Sequence, residues 1–143
     1  MKIKIFYFSG TGNTLKLAKD LATELDNVEL IKISYEMDFE QTDCDTVGIA
    51  YPVYCFGTPN IVSNFIEKVN FKSDAYIFGI ASYGGLLTSS GKILKKKLSQ
   101  RGYSLSAGFA VKMPGNATTV YDVPKLEKRE KLYAIEQEKI KNI

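Results

Sequence analysis

The sequence predicts a doubly wound α/β sheet of five parallel strands in the order 2-1-3-4-5, with helices on both faces. Three observations lead there. Apolar runs alternate along the chain with stretches of helical periodicity. Two of the runs, residues 46–51 and 75–81, are almost continuously apolar, as strands covered on both faces are. The first run breaks into a turn rich in glycine and hydroxyls, Ser9-Gly10-Thr11-Gly12-Asn13-Thr14, directly ahead of a helical stretch.

The elements follow in order. The first strand covers about residues 2–8, and the helix after the turn places Leu15, Ala18, Leu21, Ala22 and Leu25 on one face. Residues 28–33 alternate in character and suit an edge strand. Only about a dozen residues join Ser34 to Asp45, the lower limit for a parallel crossover, so a short helix or an irregular turn must serve. After the third strand, residues 60–69 carry Ile61, Val62, Phe65, Ile66 and Val69 at helical spacing. The fourth strand leads to a helix over 86–101, ended by Gly102. The fifth strand is 108–112, begun as early as Tyr103. A last helix starts near Pro124 with Leu126, Leu132, Tyr133, Ile140 and Ile143 inward.

The bulk numbers bound the function. The 143 residues suit one domain, 1–143, with 45% apolar and 24% charged residues, the balance of a globular chain. Two cysteines without Cys-x-x-Cys spacing and the absence of histidine argue against zinc, haem and iron–sulfur sites, and against hydrolysis by a histidine base. The net charge of +3 gathers at Lys92, Lys95, Lys96, Lys97 and in the last helix, a pattern that reads as a solvated face, not a nucleic-acid site. No apolar run approaches the roughly 20 residues of a membrane span, and Met1-Lys2-Ile3-Lys4 is no secretory signal. A cytoplasmic monomer is expected.

The first turn has the chemistry of an anion cradle. It holds three hydroxyls, an amide and no charged side chain, at a helix start whose N–H groups point outward. A P-loop and a dinucleotide fingerprint both fail at Leu15, where a lysine-containing motif or a third glycine would be needed. Such a hydroxyl-rich loop can instead wrap a terminal monophosphate, the plainer alternative being an ordinary glycine-rich strand-to-helix turn. In a 2-1-3-4-5 sheet the ligand crevice lies at the carboxyl ends of strands one and three. The segment after strand three, Pro52-Val53-Tyr54-Cys55-Phe56-Gly57, is aromatic and framed by proline and glycine. After strand four comes Ser82-Tyr83-Gly84-Gly85, a tyrosine beside glycines that let a ligand approach the backbone. A flat ring on a phosphate tether fits all three loops, and FMN is such a molecule. Packing is the plainer reading of Cys55, and a chain turn that of Met113-Pro114-Gly115-Asn116.

At these residues the chain resembles flavodoxins and flavodoxin-like domains over essentially its whole length. The stretch 51–59 with 82–85 resembles still more closely the flavodoxin modules fused to ferredoxins in anaerobic microbes. The resemblance implies a flavodoxin-like fold, with residues 9–14 on the FMN phosphate. Phe56-Gly57 would flank the inner ring face and Tyr83 the outer one, with Tyr54 a rival to Phe56. The implied cofactor-binding set is therefore Ser9, Gly10, Thr11, Gly12, Asn13 and Thr14, then Pro52, Val53, Tyr54, Cys55, Phe56 and Gly57, then Ser82, Tyr83, Gly84 and Gly85. No catalytic or metal-binding side chain is implied. The function implied is a shuttle of low-potential electrons between redox proteins, a ferredoxin or another iron–sulfur protein among them. The alternatives are an FMN-dependent NAD(P)H:quinone-type reductase and a non-redox module for another phosphate ligand. Familiar flavodoxins are strongly acidic, and this chain departs from them in charge.

Overall fold

The apolar runs become strands of one parallel sheet, and the amphipathic stretches become the helices packed on it. A computed structural model describes residues 2–10, 12–38, 41–53, 58–84 and 90–113, with Ala134, Ile135, Glu138 and Lys141 farther on. In chain order the elements are β1 (Ile3–Tyr7), α1 (Asn13–Glu24), β2 (Val28–Lys32), β3 (Gln41–Thr42), β4 (Thr46–Pro52), α2 (Asn60–Lys68), β5 (Asn70–Phe71), β6 (Tyr76–Tyr83), α3 (Ser90–Gln100) and β7 (Leu105–Lys112). The main sheet runs β2-β1-β4-β6-β7, every pair parallel. That is the expected 2-1-3-4-5 order once the two-residue strands are set aside.

Burial follows position in the sheet. All of β4 from Thr46 to Tyr51 is buried, as is β6 from Ile77 to Ser82, because helices cover both faces of the central strands. The edge strands β2 and β7 alternate instead. One face packs Phe6, Ile49 and Ile77 against Val62, Phe65 and Ile66 of α2 and Leu94 and Leu98 of α3. The other packs Ile5, Ala50, Phe78 and Ile80 against Leu17, Ala18 and Leu21 of α1. Phe65 is central to the first, with its ring 4.8 Å from Phe6 and 6.2 Å from Phe71.

Two details differ from the sequence reading. The buried stripe of α1 is Thr14, Leu17, Ala18 and Leu21, while Leu15 and Ala22 are only half-buried. Thr14 turns inward to a hydroxyl partner on β6, which sets the rotation of the helix. The connection from Ser34 to Asp45 makes a turn at Tyr35 and Glu36, as one alternative required, and then adds β3, which pairs in parallel with β5. Two residues are too few to show a period in sequence. The small pair is braced from α3 onward. Phe71 N–H donates to Tyr103 Oη at 3.1 Å, and the two rings meet edge to face at 5.2 Å. Arg101 donates to the carbonyls of Ile66 (2.8 Å) and Val69 (3.1 Å), satisfying acceptors that the end of α2 leaves open.

Of the expected α3 span, residues 86–89 lie outside the described residues. So do Leu126, Leu132, Tyr133, Ile140 and Ile143 of the expected last helix. The four described residues of that stretch are helical and exposed. Among the described residues no helix is long and apolar enough to cross a membrane.

Glycine permits the close approach of α3 to the sheet. A Cβ on Gly79 would lie 2.5 Å from Leu94 Cδ2, and Leu94 is itself buried. On β7, a Cβ on Gly108 would meet nothing nearer than 4.0 Å. Gly79→Ala is therefore expected to destabilise the protein by about 1–3 kcal/mol through overpacking. Gly108→Ala should change stability by less than about 0.5 kcal/mol. Urea unfolding midpoints of the two variants check the difference.

Candidate functional site

The three ligand-like segments leave neighbouring strands at one edge of the sheet. In register, Tyr7 stands beside Ala50, and Pro52 beside Ser82. The ladder continues past the strand ends. Phe8 N–H donates to Ala50 O (3.0 Å), Val53 N–H to Ser82 O (2.9 Å) and Met113 N–H to Tyr83 O (2.8 Å). The turn after β1, the loop after β4 and the loop after β6 thus begin from one hydrogen-bonded rim.

Gly12 shapes the first turn. Its φ of 101° lies in the left-handed region, and a Cβ there would meet nothing within 4 Å, so its α-carbon faces open space. Gly12 N–H donates to Ser9 Oγ at 3.0 Å, and Gly12 O accepts the first helical bond, from Lys16 N–H at 2.9 Å. No side chain caps α1, and its first turn holds no acid. The positive end of the helix dipole is left uncompensated at the rim.

Beneath the turn sits a buried hydroxyl pair. Thr14 is 1% exposed and Ser82 3%, with Oγ1 and Oγ 2.7 Å apart. This bond ties the first turn of α1 to the end of β6. Two hydroxyls carry two hydrogens, and their mutual bond uses one. The second has no acceptor among the described residues, so an anion above the turn could take it.

Ser9 and Asn13 are half-buried at the rim, with Gly10 and Gly12 exposed. Pro52, Val53, Tyr83 and Gly84 are half-buried on the adjoining segments. Thr14 and Ser82 lie below them, their hydroxyls turned to each other. Thr11, Tyr54, Cys55, Phe56, Gly57 and Gly85 lie outside the described residues, as do Pro114, Gly115 and Asn116. Met113 is buried against the α1-side core. Sequence reasoning missed Lys112, exposed at the end of β7 and in register with Tyr83. Only strand register reveals that neighbour. It also missed the open cleft of about 340 Å³ between α3 and the β6–β7 strands, lined by Tyr51, Gly79, Ala81, Leu94 and Phe109 among others. Among the described residues, none of the expected site residues lines it.

The Thr14–Ser82 bond should be measurable. Ser82→Ala leaves a buried hydroxyl without its partner, with an expected loss of about 1–3 kcal/mol. Gly12→Ala forces a side chain into the left-handed region without any clash, at about 1–2 kcal/mol. Thermal and urea unfolding of each variant gives both numbers.

Comparison with known proteins agrees with this architecture. The family model for the flavodoxin domain matches residues 4–141. No curated protein matches the sequence significantly. Among solved structures, a putative flavoprotein from Bacteroides uniformis ATCC 8492 superposes with a TM-score of 0.65 at 20% identity, covering 83% of this chain and 94% of its own. The flavodoxin of Streptococcus pneumonia TIGR4 gives 0.61 at 18% identity over 100% of both chains. A flavoprotein in complex with FMN from Lactobacillus acidophilus NCFM gives 0.62 at 15% identity, over 76% of this chain and 92% of its own. At such identities the superpositions speak for the fold.

Proposed function

Because this chain belongs to the flavodoxin domain family, we propose that it holds FMN at the carboxyl edge of its main sheet and carries electrons between redox proteins. The observation that supports this most is the 2.7 Å bond between Thr14 and Ser82, which sets the hydroxyl turn and the Ser82–Tyr83 segment on one rim. A phosphate in the turn and a ring over the adjoining loops are then within reach of one molecule. The donor set suits a phosphate and not a metal. It offers N–H and O–H groups, and no group of three or more metal-binding side chains occurs among the described residues.

Each residue has a part in that reading. Ser9 Oγ already accepts from Gly12 N–H and keeps its own hydrogen for a phosphate oxygen, a chain in which each bond strengthens the next. The N–H groups of the first turn of α1 add donors aligned with the helix dipole. Thr14 contributes from below, with Ser82 holding its hydroxyl in place. Each such bond to a charged oxygen is worth about 1.5–3 kcal/mol, enough for a loop without lysine or arginine to retain a dianion. Pro52, Val53 and Tyr83 border the space the ring would take. Bound FMN would supply the one- and two-electron chemistry that no side chain here has.

The visible spectrum of the purified protein, before and after adding FMN, tests the cofactor. The expected result is a flavin band shifted on binding, and a protein that leaves the FMN spectrum unchanged at every concentration would end the proposal. Ser9→Ala should weaken FMN binding by about 1.5–3 kcal/mol and leave riboflavin, which lacks the phosphate, unaffected. A phosphomonoester loses its second proton near pH 6, so affinity should be full above that pH and fall below it as the dianion is lost. Rapid exchange with an iron–sulfur protein and no steady NAD(P)H oxidation with a quinone is expected of a carrier. The opposite pair of results would make the protein a reductase.

A further inference from the structure

Charge is divided unevenly along this chain. Residues 1–74 carry eleven acidic and seven basic side chains. Residues 75–121 carry five lysines and one arginine, and not a single aspartate or glutamate. The fold gathers β6, α3 and β7 from this acid-free segment into one flank of the molecule, since β6 and β7 end the sheet and α3 packs on both.

Two of the six cations are occupied within the protein. Arg101 caps α2, and Lys97 lies 3.6 Å from Glu67. The other four, Lys92, Lys95, Lys96 and Lys112, are exposed and form no ion pair among the described residues. Lys92, Lys95 and Lys96 follow the three- and four-residue spacing of a helix surface. Lys92 stands in the first turn of α3, where the helix dipole disfavours a cation and no acid relieves it. Lys112 stands beside Tyr83 in register. The positive flank thus adjoins the segment proposed to border the flavin. Exposed cations left unpaired beside a redox edge cost solubility nothing, and they attract negative surfaces to the place where electrons leave.

We infer that the β6–α3–β7 flank, with Lys92, Lys95, Lys96 and Lys112, is a docking face for an acidic electron-transfer protein. This rests on the FMN reading above. Charge complementarity selects the partner: β6, α3 and β7 themselves carry no acid, so a basic partner would be repelled and an acidic one steered with the flavin edge toward it. Of the exposed large aromatics, Tyr35 lies outside the flank and Tyr76 opens β6 at the end away from Tyr83 and Lys112, so among the described residues no row of aromatics accompanies the lysines as a single-stranded nucleic acid would need.

The test uses the FMN-loaded full chain and an acidic ferredoxin as probe, with binding read by calorimetry. Raising ionic strength from about 0.01 M to about 0.15 M shortens the screening length from about 30 Å to about 8 Å, and binding should weaken about tenfold. Lys95→Glu/Lys96→Glu should lose about tenfold or more at low salt. Lys2→Glu/Lys19→Glu changes net charge equally at sites outside the flank, and should stay within about threefold of the native protein. Equal losses in the two double variants, or none in the first, would overturn the docking face. So would tighter binding of a single-stranded RNA oligonucleotide or of phosphatidylserine vesicles than of the ferredoxin. If the native protein takes up no FMN, the preceding reading fails and this one with it. If it takes up FMN and Lys95→Glu/Lys96→Glu binds ferredoxin normally, only the docking face is lost.

Discussion

The buried bond from Thr14 to Ser82 connects parts of the chain 68 residues apart and determines what the sheet edge can do. It fastens the first turn of α1 to the end of β6, and the strand between them, β4, is held on both sides by parallel ladders. The turn above Thr14 can then be open and glycine-rich without losing its position. In most helices a capping side chain would occupy the N-terminal donors. Here no side chain caps α1, and the anchoring is moved below the turn, to a hydroxyl that water does not reach. The rim is positioned from beneath and its donors stay directed outward.

The same economy of side chains shapes the body of the fold. Gly79 lets α3 approach the sheet, and Gly48 lets Phe78 lie across β4, where a Cβ would be 2.7 Å from the ring. Each missing methyl group gives space to a large neighbour on the central strands. Arg101 does comparable work at the opposite end of α2, closing carbonyls that the helix leaves open and covering Tyr103 with its guanidinium 5.8 Å from the ring centre. Its charge is spent inside the structure. The lysines of α3 remain for the outside.

Much of this was legible beforehand, for reasons that particular residues show. Strands β4 and β6 are continuous apolar runs, and only burial on both faces calls for those. The helix start at Asn13 was marked by the glycine and hydroxyls before it. Less was legible where local pattern and long-range contact compete. Leu15 fits an apolar stripe as well as Leu17 does, and the choice fell to Leu17 because Thr14 bonds across to Ser82. The β3–β5 pair has two residues on each side and no period to detect. At the site, the turn could be read from its donors, whereas the burial of two of its hydroxyl-bearing neighbours could not.

By itself the sequence determined the class of fold, the strand order and the chemistry of the first turn, because periodicity, glycine placement and donor type are local properties of a chain. Tertiary structure alone decided that the Thr14 and Ser82 hydroxyls turn to each other, that Lys112 stands beside Tyr83, and that the acid-free segment forms one flank. These depend on strand register and on the parallel crossovers that bring distant residues together. A residue's partners across a sheet are set by the packing of the whole, and no short stretch of chain contains that information.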